Sequence, residues 1–434
     1  MKEGYPVLKE DIFLAKIKTP SGFKVKVRNT TTEQNFTATP LMFIVLELCT
    51  GTNTVPEIIK TLCGEAHSSD AVIKNIESIV KLLLENNIIT MNKTPSKGRS
   101  IKEIKLKYPL EAAQIEITNK CNLSCLHCFN NSGNPHPHEL TTQEILSAID
   151  ALSRGGVHQI TMTGGEPLLH PHIFNIIEHA RKAPMSVDLF TNGTLITEDM
   201  VNQFKNRIRR FNISLDSVDA SIHDTFRGKK GALEKTLQAI TLLKEAGFPM
   251  KFTISLSQLN KSTIKDVLRY FKENNLTEFT ITPVRYSGRG KTDITVSLEE
   301  YYQVSKEYLT YCKQEFPEGI LKKHKKERDE CSIARRSMLI KSDGTIFSCP
   351  GCDRGPAIGN VRDTDLETLW EHDGLLDKIR GITANTDTTC KMCAYLDFCV
   401  GCVAGAYSFQ ETLRCCYPFL CILNRAYDEV VGFT

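Results

Sequence analysis

Six apolar, strand-like runs near Ile115, Ile160, Val187, Ile213, Ile254 and Phe279 alternate with segments of helical periodicity. The helical patterns cover 142–154, 173–182, 197–205, 233–246 and 263–274. A chain that repeats strand and helix in this way must lay its strands parallel, because each helix carries it back across the sheet. The sulfur-bearing and polar motifs fall on loops that follow these strands. Six such units predict an α/β architecture, an incomplete or partial (β/α)6 barrel with its active site at the C-terminal face.

The loop after the first run holds Cys121, Cys125 and Cys128. Three thiolates so placed can hold three irons of a 4Fe–4S cluster and leave the fourth without a protein ligand. Electron-transfer clusters are mostly closed by four cysteines, so an open corner suits an iron that binds something else. A zinc knuckle or ordinary buried thiols are the alternative readings of this spacing. The C-x3-C-x2-C pattern resembles the signature of the radical S-adenosylmethionine (SAM) enzymes, in which SAM chelates the open iron.

Further motifs extend the resemblance. Gly164-Gly165-Glu166-Pro167 follows the second run, where paired glycines allow close backbone approach and a carboxylate can face an ammonium group. It resembles the family's Gly-Gly-Glu element, which receives the SAM amino group. Asn192 ends the third run, Ser214 and Asp216 end the fourth, and Arg227 follows in His223-Asp224-Thr225-Phe226-Arg227-Gly228. The resemblance implies that Asn192, Ser214 and Asp216 lie at the SAM site, with the short polar side chains facing its ribose, and that Arg227 meets its carboxylate. It does not identify a general base; Asp216, Glu166 and the histidines all remain candidates, so the catalytic residue is unknown.

A second cysteine constellation occupies the C-terminal third: Cys331, Gly344, Cys349, Cys390, Cys393, Cys399, Cys402 and Cys421. A zinc ribbon also uses paired C-x2-C elements. The full series resembles the SPASM domain, an iron–sulfur extension of radical SAM peptide-modifying enzymes, although Cys399 and Cys402 are separated by two residues where the family usually has three. The resemblance implies two auxiliary iron–sulfur clusters. Cys390, Cys393, Cys399 and Cys421 would close one. Cys331, Cys349 and Cys402 would hold the other, with Cys352, Cys312 or a substrate thiolate as its fourth ligand. Cys415 and Cys416 are spares, and Cys49 and Cys63 read as core residues.

The first ninety or so residues read as a separate unit. Strand-like runs at 12–17, 23–27 and 35–38 precede helical patterns at 40–49, 55–62 and 70–85, and a strand at 87–90 closes the set. This order resembles the winged-helix recognition element that binds leader peptides of ribosomally made, modified peptides, taking the leader as an added strand beside a helix groove. A structural winged helix or a protein-docking module is the alternative. The segment 95–100 reads as a linker. The expected domains are 1–94 for leader recognition, 108–312 for the barrel and 313–434 for the SPASM extension.

Composition agrees with an enzyme of several domains. The 434 residues are 41% hydrophobic, and no apolar run approaches a membrane span. Sixteen cysteines without a signal-peptide core point to metal ligation and a cytoplasmic location. A net charge of +3 gives no reason to expect nucleic acid, and the basic run 322–328 reads as a solvated helix face. The resemblance implies a radical SAM maturase that abstracts hydrogen from a precursor peptide and forms a sulfur-to-carbon thioether, like the sactipeptide and ranthipeptide synthases. It also implies a flavodoxin- or ferredoxin-type electron donor. A peptide enzyme forming carbon–carbon or carbon–oxygen bonds or epimerising residues shares these motifs, and an iron–sulfur electron-relay or binding partner is the alternative of another class.

Overall fold

The computed structural model describes residues 4–19, 22–29, 35–64, 70–98, 102–104, 107–108, 110–183, 185–290, 292–317, 321, 331–352 and 355–433. The basic run 322–328 lies outside them, as do residues 99–100 of the segment read as a linker.

The N-terminal unit contains β1 (Tyr5–Leu8), β2 (Ile12–Thr19), β3 (Gly22–Asn29), β4 (Asn35–Ala38), α1 (Pro40–Leu48), α2 (Val55–Cys63), α3 (Asp70–Glu85) and β5 (Ile89–Asn92). Thr39 and Thr54 cap the first two helices, each followed by a proline in the first turn, and Thr54 forms a capping box with Glu57. Asn87 adopts a left-handed conformation, φ 55°, so the chain turns after α3 and the closing strand starts at Ile89, later than the sequence suggests. β2, β3 and β4 form an antiparallel sheet, and β1 pairs with β5 in a separate ribbon. β6 (Lys102–Ile104) adds to β2 in parallel, so chain beyond residue 94 still belongs to this sheet. Leu14, Val27, Phe43, Val45, Ile58, Ile76 and Val80 build a core of their own.

The barrel strands are β7 (Ala112–Thr118), β8 (Gln159–Gly164), β9 (Ser186–Thr191), β10 (Arg210–Ser214), β11 (Met250–Leu256) and β12 (Phe279–Pro283). Between them lie α4 (Thr142–Arg154), α5 (Ile173–Lys182), α6 (Glu198–Phe204), α7 (Ala220–Arg227), α8 (Ala232–Glu245) and α9 (Ile264–Glu273). The six strands run parallel in the order β12-β11-β10-β9-β8-β7. Alternation along β7 buries Ile115 and Ile117 under the helices and turns Gln114 and Glu116 toward the barrel interior. α7 is an extra helix that the sequence reading leaves as loop.

The sheet does not close on itself. After α10 (Leu298–Glu315), which runs across residue 312, β13 (Ser337–Ile340) pairs in parallel with β7, placing Ser337 opposite Ala112 and Ile340 opposite Ile115. β14 (Thr345–Phe347) and β15 (Gly359–Asn360) extend this edge antiparallel. The C-terminal segment thus covers the edge left by the partial barrel, satisfying backbone groups that would otherwise be exposed. It continues through α11 (Leu366–His372), α12 (Gly374–Arg380), α13 (Thr388–Lys391), α14 (Val403–Gln410) and α15 (Pro418–Val430), and α15 packs along α10. Among the described residues no helix is long and apolar enough to cross a membrane.

Candidate functional site

A cavity of about 490 Å³ opens at the C-terminal ends of the barrel strands. Its walls include Cys121, Cys125 and Cys128, together with Gly164, Gly165, Asn192, Ser214 and Arg227. The sequence motifs from four separate loops therefore converge.

Glycines press on the backbone of the cysteine loop. A Cβ on Gly165 would lie 2.4 Å from the Lys120 carbonyl, one on Gly228 2.5 Å from that of Ser124, and one on Gly288 2.1 Å from that of Cys128. Gly228 also takes φ 66° as the C-cap of α7, a conformation that glycine adopts without strain. Arg289, beyond β12, clamps the same loop: its Nε donates to Cys125 O at 2.8 Å and its Nη1 to Ser132 O at 2.6 Å. Sequence reasoning missed Arg289, since an arginine in a loop carries no spacing signal.

The loop's thiols suit metal ligation. Burial pushes Cys121 up to about 11 and raises Cys125, with Arg227 opposing the latter shift. Buried thiolates need nearby positive charge, which cluster irons provide. Among the described residues no three His, Cys, Asp or Glu side chains converge on a point that a single metal ion would occupy. The donor set and the glycine-lined cradle fit a cluster held by Cys121, Cys125 and Cys128.

Two expected SAM-contacting carboxylates stand behind the cavity wall. Glu166 is fully buried and accepts hydrogen bonds from Asn192 N at 2.8 Å, Leu168 N at 3.2 Å and Thr191 Oγ1 at 3.0 Å. It fixes the loop that presents Asn192, whose Nδ2 donates to Asn122 Oδ1 of the cysteine loop at 3.0 Å. Burial pushes the Glu166 carboxyl up to about 7. Asp216 is likewise buried; its Oδ1 accepts from Ser255 N at 2.8 Å and its Oδ2 pairs with Arg227 Nη2 at 2.5 Å. His127 lines the cavity and stacks on Phe226, ring centroids 4.0 Å apart. Burial, with Arg227, His223 and Arg289 nearby, holds it well below the usual imidazole range, so it is neutral and a weak proton acceptor.

The C-terminal domain reaches the same cavity through Pro350 and Gly351. Arg285 donates from Nη1 to Gly351 O at 3.3 Å and lies over the Phe129 ring, 5.8 Å from its centroid. Cys349 is half-buried; desolvation pushes its thiol up to about 12, and Cys331, Cys402 and Cys352 are its thiol neighbours. Backbone amides point at these sulfurs, from Gly351 to Cys349 at 3.4 Å and from Gly405 to Cys402 at 3.2 Å. Gly344 forms the β13–β14 turn at φ 87°, where a Cβ would lie 2.7 Å from Asn360 Oδ1. Cys312 stands apart from this group, on the buried face of α10 beside Tyr308.

The second thiol group gathers Cys390, Cys393, Cys399 and Cys421, and also draws in the two spares. Cys416 Sγ is 3.6 Å from Cys421 Sγ, and both Cys415 and Cys416 adjoin Cys390. Cys49 is buried in the N-terminal core, and Cys63 packs at its edge.

Comparison with known proteins places this geometry. Residues 115–271 match the radical SAM superfamily, and residues 331–394 match SPASM, an iron–sulfur cluster-binding domain. The AdoMet-dependent heme synthase of Methanosarcina barkeri is 30% identical over 335 residues, covering 70% of this chain and 95% of that protein. The Bacillus subtilis antilisterial bacteriocin subtilosin biosynthesis protein AlbA is 24% identical, covering 85% of each chain. Streptococcus suis SuiB, in a crystal structure with precursor peptide SuiA, shares the fold with a TM-score of 0.64 at 16% identity, over 95% of this chain and 98% of that one. With these matches come SAM, its 4Fe–4S cluster and auxiliary iron–sulfur clusters as cofactors. The cysteine loop, the glycine cradle and the thiol-rich extension are thus parts of one recognised machinery, and the chain belongs to the radical SAM superfamily, as a SPASM-bearing enzyme.

Proposed function

We propose that this enzyme is a peptide maturase that binds a leader through residues 1–94 and forms thioethers between cysteine sulfur and a carbon of the core peptide. The observation that carries the reading is the shared cavity wall, where Pro350 and Gly351, flanked by Cys349 and Cys352, stand with the Cys121–Cys128 loop. When bound, the cluster and SAM supply a 5′-deoxyadenosyl radical that removes one hydrogen atom from the peptide. The chain's part is to hold the peptide carbon in that cavity, exclude water and bring a thiol alongside. The fold likeness to SuiB, a protein solved with a precursor peptide, extends over 95% of the chain and so includes the N-terminal unit. An electron donor of the flavodoxin or ferredoxin type completes the proposal.

The neighbours of Cys349 bear on how the substrate sulfur is handled. Cys352 lies with Cys331 and Cys402 around it, which supports four protein ligands at that cluster. A substrate thiol would then approach the auxiliary cluster without ligating it.

The 30% identity to a heme synthase favours a second reading, in which the chain performs heme synthesis of the kind that relative's name states. Against it, the match leaves about a third of this chain uncovered, and peptide recognition gives the N-terminal unit a purpose. Mass spectrometry of a cysteine-rich peptide encoded beside the gene, after anaerobic incubation with reconstituted enzyme, SAM and reductant, separates the readings. Loss of two hydrogens per bond, with matching cysteines resistant to alkylation, is expected. Unchanged cysteines would reject thioether formation, and another mass or stereochemical change would indicate carbon–carbon, carbon–oxygen or epimerisation chemistry. Deleting residues 1–90 should lower modification yet spare SAM cleavage, whereas Cys125→Ala should abolish cleavage and retain leader binding.

A further inference from the structure

Joining a cysteine sulfur to a carbon removes a hydrogen atom, a proton and an electron, and the residues expected to take the proton are badly placed. Glu166 and Asp216 do not reach the cavity surface, and His127 is surrounded by cationic groups. Glu116 is different. It sits on β7 with its side chain on the cavity wall although only 2% exposed. Its Oε1 accepts from Asn130 Nδ2 at 2.8 Å and lies 3.5 Å from Lys341 Nζ. Its Oε2 is buried and takes no side-chain hydrogen bond. The groups facing it are Lys341 and the Ser342 amide from the C-terminal domain, Asn130 from the cysteine loop, and Thr163 in register across β8. Burial outweighs these partners and raises the carboxyl above its ordinary range.

We infer that Glu116 accepts the proton of the substrate thiol, through Oε2, as the sulfur–carbon bond forms; this rests on the thioether reading above. The carbon's hydrogen leaves as an atom to the 5′-deoxyadenosyl radical, giving 5′-deoxyadenosine. The S–H bond breaks with its electron pair on sulfur and its proton on Glu116. The sulfur then bonds to the carbon radical, and the one surplus electron leaves to an oxidised iron–sulfur cluster as acceptor. Lys341, contributed by the C-terminal domain, offsets the negative charge on Glu116 before the proton arrives, so it is a positioning residue. Burial makes the Glu116 carboxylate a stronger proton acceptor than an exposed one, and Lys341 and Asn130 keep its ionised form within reach.

The test compares wild-type, Glu116→Gln and Asn130→Ala enzymes, reconstituted at full length, on the cysteine-rich peptide encoded beside the gene. Glu116→Gln should still consume SAM and yield 5′-deoxyadenosine but form thioether about 100-fold more slowly at pH 7. Its rate should recover toward about pH 9, where the substrate thiol ionises unaided. Asn130→Ala, which removes the loop contact and keeps the carboxylate, should retain thioether formation at neutral pH with its profile displaced upward, because a hydrogen bond favouring the ionised carboxylate is lost. The metal-free chain gives an independent readout: the protonated-carboxyl infrared band that survives to higher pH than ordinary carboxyls should lose one component in Glu116→Gln, while the Glu166 component remains. Equal thioether rates and pH profiles in wild type and Glu116→Gln would overturn the inference. So would loss of SAM cleavage in Glu116→Gln, which indicates support of the cysteine loop instead. If the wild type makes no thioether while the infrared difference stands, the thioether reading fails and the thiol is excluded as the donor to Glu116.

Discussion

Arg227 Nη2 stands 2.5 Å from Asp216 Oδ2, and the same guanidinium places Nη1 3.8 Å from the Cys125 sulfur. Asp216 follows β10 and Arg227 ends α7, so an ion pair across one loop sets a positive charge beside the Cys125 thiol. Both residues are buried. Each charge loses solvation that its partner restores only while the pair is intact. A SAM carboxylate reaching Arg227 would share it with Asp216.

Asp216→Ala should therefore harm the fold even without metal. It leaves the Arg227 charge buried and uncompensated, which costs about 3–5 kcal/mol. Urea unfolding of the metal-free chain should show that loss, and the double variant Asp216→Ala/Arg227→Met should recover part of it. A single variant as stable as wild type would mean that solvent reaches Arg227.

Glu166 should impose a pH dependence. Its carboxyl, pushed up to about 7 by burial, lies above the ordinary value of about 4.3. The folded chain thus holds a proton that the unfolded chain releases. The stabilisation is full below about pH 4.3 and is lost as pH rises through 7, amounting to about 4 kcal/mol. Denaturant midpoints of the metal-free chain between pH 4 and 8 should show this slope, flattened in Glu166→Gln.

Gly288→Ala should damage the cysteine loop selectively. Gly288 has φ 56°, and the added Cβ would fall 2.1 Å from the Cys128 carbonyl, so both conformation and space resist the change. Iron analysis should show one cluster lost, with the auxiliary clusters kept. Gly247→Ala supplies the control, having φ 76° but nothing within 4 Å of its Cβ. Its cost should be strain alone, with iron content unchanged.

The barrel was legible because its signals are local. Each strand is a short apolar run and each motif sits just past it, so the convergence of Cys121, Gly164, Asn192, Ser214 and Arg227 on one cavity could be expected from order alone. What escaped reading is long-range. β13 is four residues long and pairs with β7 from more than two hundred positions away, and no periodicity foretells that partner. The arginines Arg285 and Arg289 sit in a loop without pattern. Glu116 did leave a signal, since a carboxylate between Ile115 and Ile117 must face away from the helices, toward the barrel interior. β1 and β6, four and three residues long, fall below what apolar alternation can mark.

The fourth ligand of the first auxiliary cluster is open to a direct comparison of two cysteines. Cys352, itself buried, belongs to the group of Cys331, Cys349 and Cys402, on a turn in which its amide donates to Cys349 O at 3.0 Å. Cys312 is fully buried on α10, where burial pushes its thiol up to about 12. Cys312 packs beside Tyr308 rather than among the other thiols, so ligation would have to draw it out of the α10 core. Cys352→Ser should lower iron per chain and alter the auxiliary cluster's electron paramagnetic resonance signal, with the SAM-site cluster retained. Cys312→Ser should leave iron and spectrum unchanged while costing about 1–3 kcal/mol for a hydroxyl placed in the core. The reverse pattern would assign Cys312 as the ligand. Iron and spectra unchanged in both would leave that corner to the substrate, restoring direct ligation of the peptide's sulfur.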